Sequence, residues 1–238
     1  METPLQATIS NKLLSLLPPD DFEQISGKLE HVLLPRGTSI GKWGQPIDYL
    51  YFLTSGIGSI VVETPEGHRA EAGMFGFDGY VPTSAVADVE LNAHDASIQL
   101  DAEAYRMSYA DFRHAMETNR SFSRVVVRAM EAFSIQLSYT LASNAIHDVT
   151  ERLARWLLMC HDRVPGDEIA LTHEYLAVML AVRRPSVTTS LHLLEGSGFI
   201  KSERGKVIVR NRPGLQEFAR DAYGRPEEEY RRLMKDLF

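Results

Sequence analysis

A single cysteine, Cys160, serves the whole chain of 238 residues. That excludes an intramolecular disulfide framework and any zinc or iron–sulfur site built on several thiolates. No apolar run is long enough to cross a membrane, and the start METPLQATIS lacks the charged and apolar regions of a signal peptide. These absences predict a cytoplasmic protein with no membrane partner. Metal-binding motifs, phosphate-cradling glycine loops, nucleophile elbows and paired carboxylates in a plausible cleft are also missing, so no enzyme is expected. Glycine and proline are absent from Thr83 to Val164, and lysine and arginine from Tyr80 to Asp101. The second gap leaves that stretch nothing with which to neutralise a phosphate, which is costly to move out of water unpaired.

The formal charge of −7 is unevenly spread. Residues 1–171 carry 13 Lys+Arg against 23 Asp+Glu, whereas residues 172–214 carry 7 against 3. A locally basic segment on an acidic body suits a nucleic-acid-reading module attached to a separate sensory domain. Residues 31–82 hold short alternating runs, such as Leu50–Leu53 and Ser59–Val62, between turn signals. They predict an antiparallel β-barrel or roll. Short helices are expected at Asn11–Leu17 and Asp20–Lys28, the second led by capping aspartates, and a further one from Ser108. A long helix follows over about Ser121–Ala145. Its apolar residues Phe122, Val126, Ala129, Phe133, Leu137 and Leu141 step by three and four, which suits either a self-association seam or a core helix. The self-association reading is preferred because the stripe is narrow and Ala129 lets backbones approach. Leu153, Trp156, Leu157 and Cys160 mark one face of the next helix, Glu151–Cys160. Two short helices (173–180 and 184–195) and a hairpin (198–209) complete the layout of a winged helix-turn-helix.

The stretch LAVRRPSVTTSLHLLEGSGFI raises a physical question. Arginines at a helix start meet the positive end of the macrodipole, so Arg183 and Arg184 call for something anionic in front of them, and DNA is the expected partner. Val187, Leu191 and Leu194 commit one face to the core; Arg184, Thr188, Thr189 and His192 occupy the other. Pro185 sits in the first turn, where its missing N–H costs little. One helix fits a major groove, where Arg184 can donate a bidentate pair to guanine. Thr172, His173 and Ser186 lie where helix starts meet phosphates, and Lys201, Arg204 and Lys206 would bring the hairpin against the backbone.

With these residues in view, the chain resembles the cyclic-AMP receptor protein and fumarate–nitrate regulator (Crp/Fnr) superfamily of bacterial transcription factors. PRGTSIGKWGQPIDYLYFLTSGIGSIVV resembles the cyclic-nucleotide-binding β-roll, with Gly37, Gly44, Asp48, Tyr51, Phe52 and Gly56 in place. AIHDVTERLARWLL resembles the hinge and first helix of the DNA domain, and LTHEYLAVMLAVRRPSVTTSLHLLEGSGFI its helix-turn-helix. The implied fold is α+β, with a sensory β-roll (1–118), a dimerisation helix and hinge (119–147) and a winged helix-turn-helix (148–238). The resemblance also implies a homodimer joined through the long helix, a near-palindromic site and contact with RNA polymerase. The loop His161–Glu168, with Asp162 and Asp167, is the expected polymerase-facing surface. The C-terminal segment from Pro226 is expected as an amphipathic helix packing on the DNA domain.

The departures set further expectations. Familiar members place an acidic residue where Pro185 stands and a second arginine where Thr189 stands, so the target should differ from the best-known half-site. The cassette that holds cyclic AMP in the family uses a Gly-Glu pair and, some ten residues on, an Arg-Ser pair. Here Phe77-Asp78-Gly79 stands in the first place, and no arginine follows in the second. Control by cyclic AMP is therefore not expected, and Asp78, Gly79 and Ser138 remain the candidates for an effector pocket. An oxygen-sensing iron–sulfur cluster lacks its cysteines. Haem would need axial ligands such as His68, His94 or Met74, but isolated histidines are read as surface residues, and His147 with Glu151 is read as a surface pair. The rival reading is a ligand-binding regulatory module that shares the β-roll but binds no DNA.

Overall fold

The computed structural model of the chain describes residues 4–237, so Met1–Thr3 and Phe238 of the two terminal segments discussed above lie outside the described residues. Two short helices open it, α1 (Lys12–Ser15) and α2 (Pro19–Ser26). Buried Asn11 caps α1 by accepting from the Leu13 and Leu14 amides, and its own amide donates to the Leu53 and Gly79 carbonyls. In α2 the expected capping aspartates do not cap. Pro18 precedes the helix, and Asp20 and Asp21 lie inside its first turn, where the dipole favours them.

Seven strands follow: β1 (Glu30–Leu34), β2 (Ser39–Gly41), β3 (Tyr49–Leu53), β4 (Ile57–Glu63), β5 (Arg69–Phe75), β6 (Asp95–Leu100) and β7 (Ala102–Ser108). They form one sheet in the order β1-β7-β3 and another in the order β2-β6-β4-β5, with β7 antiparallel to both its neighbours. The turn between β3 and β4 needs its glycine. Gly56 has φ +75°, and a Cβ there would meet the Asp101 carbonyl at 2.5 Å. Next come α3 (Tyr109–Thr118), capped by Ser108 as the sequence predicts, and the long helix α4 (Arg120–Ile146). The rest comprises α5 (Val149–His161), β8 (Glu168–Ile169), α6 (His173–Met179), α7 (Arg184–Gly196), β9 (Ile200–Glu203), β10 (Lys206–Val209), α8 (Arg212–Ala219) and α9 (Arg225–Lys235). The fold is α+β: a β-roll, a long helix and a winged helix-turn-helix.

Two compact units divide the chain, one of residues 1–60, 74–135 and 229–238, the other of residues 61–73 and 136–228. In the first, Phe52, Tyr80, Phe112 and Phe122 pack with ring centroids 5.7–6.2 Å apart, inside a core that also holds Leu13, Phe22 and Leu50. Each large side chain so buried contributes about 1.5–3 kcal/mol. Phe122, Val126 and Ala129 belong to this core and are at most 6% exposed. That corrects their assignment to a self-association seam: periodicity reveals an apolar face, but not which surface meets it. Phe133 and Leu137 are half-buried, and Leu141 is 73% exposed. The apolar side chains that α4 leaves exposed are Val127, Leu141 and Ile146.

The C-terminal segment gives a second correction. Residues 229–238 group with the first unit, where Met234 and Leu237 enter the same core as Phe22 and Phe122. Arg128 donates to the Leu233 carbonyl at 2.7 Å, a cation at the negative end of α9, and the Tyr230 hydroxyl donates to the Asp78 carbonyl. The segment therefore packs on the β-roll unit rather than on the DNA domain.

The second unit is built around α5. Asp148 and Glu151 close a capping box, and every residue from Leu153 to Cys160 is buried, so the helix is enclosed on more faces than its periodicity predicts. Trp156 donates its indole N–H to Glu71, and buried Arg155 donates to the Thr140 hydroxyl. Burial pushes the Cys160 thiol well above its ordinary value, leaving it an inert apolar group. His147 pairs with Ser143 and Asp221, not with Glu151, which is occupied by the capping box and by Arg220.

Candidate nucleic-acid interface

The helix-turn-helix consists of α6, α7 and the turn between them. Thr172 caps α6 by accepting from the Tyr175 amide, so its hydroxyl oxygen has a structural use. The helix ends in a Schellman arrangement: Val182 N–H donates to the Ala177 carbonyl and Ala181 N–H to the Val178 carbonyl. The left-handed position in that motif usually belongs to glycine, but here Ala181 holds it at φ +50°. Arg152, half-buried on α5, donates to the Leu180 carbonyl and secures the same helix end.

On α7, Val187, Leu191 and Leu194 are wholly buried, as the sequence predicts. Ser190 is buried beside them, its hydroxyl 3.0 Å from that of Thr150. No apolar period could have signalled this polar rivet between α7 and α5. The opposite face carries exposed Arg184, Thr189 and His192 and half-buried Ser186 and Thr188. Arg183, at the N-cap, is exposed and gives no side-chain cap. Thr188 and Thr189 turn their hydroxyls back to the Arg184 and Pro185 carbonyls, at 3.3 and 3.1 Å. Their methyl groups and remaining lone pairs are what they can offer to a groove.

The anionic partner required by the opening arginines is present within the chain itself. Arg184 Nε lies 3.0 Å from a carboxylate oxygen of Glu174, in the first turn of α6, and each side chain is 64% exposed. Alongside, His173 Nδ1 lies 3.1 Å from the Thr188 hydroxyl. The opening arginines therefore do not by themselves require DNA; the exposed polar face of α7 has to carry that reading.

The wing is three-stranded, since β8 pairs antiparallel with β10, a two-residue strand that the sequence did not reveal. Lys201 pairs with Glu203 at 2.7 Å, and Lys206 with Glu168 at 3.0 Å and Glu203 at 3.5 Å. Hydrogen bonding from Lys201 is the main cause that holds the Glu203 carboxyl below its usual range. Arg204 is exposed at the tip beside Gly205. Behind the wing, Arg212 donates to Asp162 and to the Tyr223 hydroxyl, and also to His161 Nδ1, which must accept because a guanidinium only donates. His161 Nε2 is then the protonated nitrogen that meets Asp167. Burial alone would lower Arg212; the charge of Asp162 raises it overall. Both aspartates of the 161–168 loop thus have partners inside the unit.

In the first unit Asp78 accepts from the Gly76 amide within a local turn, and the Gly79 carbonyl accepts from the side-chain amide of Asn11, a tie to the N-terminal segment. Ser138 lies in the second unit and is exposed. His68 and His94 are exposed and Met74 is buried in the roll.

This architecture defines a class: one chain that combines a β-roll with a winged helix-turn-helix. Comparison with known proteins narrows it. Residues 151–218 match the Crp-like helix-turn-helix domain. The chain is 27% identical over 220 residues to a CRP-like cAMP-activated global transcriptional regulator of Mycobacterium tuberculosis, covering 85% of this chain and 93% of the relative. Among solved structures, a CRP-family transcriptional regulator from Thermus thermophilus superposes with a TM-score of 0.67 at 20% identity, covering 79% of this chain and 96% of that one. The c-di-GMP-responsive global regulator CLP of Xanthomonas campestris superposes at 0.63 and 18%, covering 81% and 99%. Residues 151–218 thus form a Crp-like helix-turn-helix domain, and the chain is similar over most of its length to CRP-like transcriptional regulators.

Proposed function

We propose that the protein acts as a homodimer that reads a near-palindromic DNA site through α7, without control by cyclic AMP. The observation that carries the reading is the polar side of α7, where exposed Arg184, Thr189 and His192 and half-buried Thr188 accompany fully buried Val187, Leu191 and Leu194. Such a helix enters a major groove by its N-terminal turns, and a dimer places two of them about 34 Å apart to meet successive grooves. Exposed Val127 and Leu141 on α4, with half-buried Leu137 between them, supply the dimer contact. RNA polymerase and a cytoplasmic location follow from the same reading.

The case against cyclic AMP rests on charge. The segment from Tyr80 to Asp101 offers no cation to a cyclic phosphate, and Asp78 adds a negative charge. Asp78 and Gly79 remain the proposed effector contacts, for a ligand that needs no phosphate clamp. Selection from random duplexes, light scattering and calorimetry with cyclic AMP test the three parts. The expected results are an enriched two-fold motif distinct from the best-known family half-site, a dimer mass lost in Leu141→Asp, and no heat of cyclic-AMP binding. An unenriched pool, a monomer mass or saturable cyclic-AMP binding overturns the corresponding part.

A further inference from the structure

We propose that Glu174 is a positioning residue for Arg184, fixing how the guanidinium meets a base and trading general DNA affinity for sequence discrimination. This inference rests on the reading of α7 as the recognition helix. Arg184 is the first residue of α7, where the dipole opposes its charge, and an unheld arginine there would sample many rotamers. Glu174 removes both difficulties through one contact, Nε to carboxylate at 3.0 Å. An arginine has five N–H donors, one on Nε and four on the two terminal nitrogens. An ion pair centred on Nε is compatible with the terminal fork meeting acceptors outside the protein, and a fork of this shape matches the O6 and N7 atoms of guanine.

The carboxylate is itself well held. It lies in the first turn of α6, whose dipole favours a negative charge. The first turns of α6 and α7 are also joined by the contact between His173 Nδ1 and the Thr188 hydroxyl, while that hydroxyl's hydrogen points to the Arg184 carbonyl. With its hydrogen so used, the hydroxyl accepts from His173, and Nδ1 is the protonated nitrogen. The Glu174–Arg184 pair therefore spans two elements already fixed to each other by a neighbouring bond. That reduces the ordering cost that makes most exposed ion pairs worthless.

A carboxylate on a face that meets a polyanion has a second consequence. It repels phosphates and partly cancels the charge of the arginine, so it weakens binding to every duplex alike. Positioning and repulsion act in opposite directions, and this makes the role measurable. The full-length chain, Glu174→Gln, Arg184→Ala and the double variant are titrated against the duplex that wild type enriches, against single-base substitutions of it, and against an unrelated duplex. For Glu174→Gln, affinity for the unrelated duplex should rise about 2- to 5-fold with a steeper salt dependence. Discrimination at the one base pair read by Arg184 should fall about 2- to 5-fold. In the Arg184→Ala background the same change should leave discrimination at that base pair unmoved.

Equal discrimination in Glu174→Gln and wild type overturns the proposal, as does a loss spread evenly over all base pairs. Both side chains are well exposed, so the variants should fold, and a thermal melt checks this. Failure of the underlying reading has its own signature: Arg184→Ala then binds the enriched duplex as tightly as wild type, or no duplex is enriched at all.

Discussion

The recognition helix and the wing are both basic in sequence, yet they hold their charge differently. At the start of α7, Arg184 forms an ion pair with Glu174 through Nε and is 64% exposed, and Arg183 is exposed at the N-cap. In the wing, Lys201 and Lys206 each close on carboxylates, Glu203 for the first and Glu168 with Glu203 for the second. Formal charge counted along a chain is not charge available to a ligand. A lysine ammonium is a compact point charge that a neighbouring carboxylate largely satisfies, whereas an arginine engaged at Nε can still donate twice elsewhere. On the proposed reading, α7 is expected to read bases and the wing to make a modest phosphate contact centred on Arg204.

The largest test of this contrast removes the support of the recognition helix. Leu191 is wholly buried beneath the outward face, so Leu191→Ala should destabilise the DNA-binding unit by about 2–5 kcal/mol, read from denaturant unfolding. DNA affinity should fall with it, since the polar face has no rigidity of its own. A variant that binds DNA normally at full stability would show that α7 is not held from below.

Next in size is the charge of α7 itself. Arg184→Ala should cost about 1–3 kcal/mol of discrimination, roughly 5- to 150-fold, at one base pair of each half-site. The parallel wing variant Lys206→Ala should change affinity evenly across sequences, and by less. Equal losses, with the same base dependence, would abolish the distinction between the two regions.

How much of this could be read beforehand depends on whether the interaction was local. The buried face of α7, its proline-marked start and the turn at Arg204-Gly205 are local patterns, and the structure follows them. The fate of an apolar stripe is not local. Phe122, Val126 and Ala129 have the spacing of a seam, but all three lie in the core of their own unit, where Phe122 meets Phe52 and Phe112. The α9 segment is legibly amphipathic, yet nothing in its period says that Met234 and Leu237 join the β-roll core rather than the DNA domain. Strand β8 is two residues long and exists only because β10 offers it an edge. Glu174 stands ten positions before Arg184, and only the helix-turn-helix geometry brings the two together. Charge partners of that kind were invisible, so the opening arginines pointed to DNA alone.

A smaller effect concerns the turn that aims α7. Ala181 adopts φ +50°, a conformation that costs an L-residue roughly 1–2 kcal/mol and glycine almost nothing. Glycine also loses more entropy on folding, so Ala181→Gly should stabilise the unit by only about 0.5–1 kcal/mol, raising its melting temperature without altering base preference. A changed base preference would mean that the strained turn sets the angle at which α7 is presented.

The smallest effect lies in the wing and depends on pH. Lys201, by its hydrogen bond and then its charge, holds the folded Glu203 carboxyl below its value in the unfolded chain, and Lys206 adds to this. A carboxyl with a depressed folded value contributes stability that is fully present above its unfolded value and is lost as pH falls through the folded one. The carboxyl is solvent-exposed, so the contribution is small and screened by salt. Wild type should therefore melt slightly above Glu203→Gln at neutral pH and low salt, and the two curves should converge below the ordinary glutamate range of about 4.3. On DNA the sign reverses. Glu203→Gln frees Lys201 and partly frees Lys206, so log affinity should fall more steeply with log salt, by up to about one extra phosphate contact. An unchanged salt slope would mean that the wing lysines do not face the backbone even when released, and that Arg204 alone carries the contact.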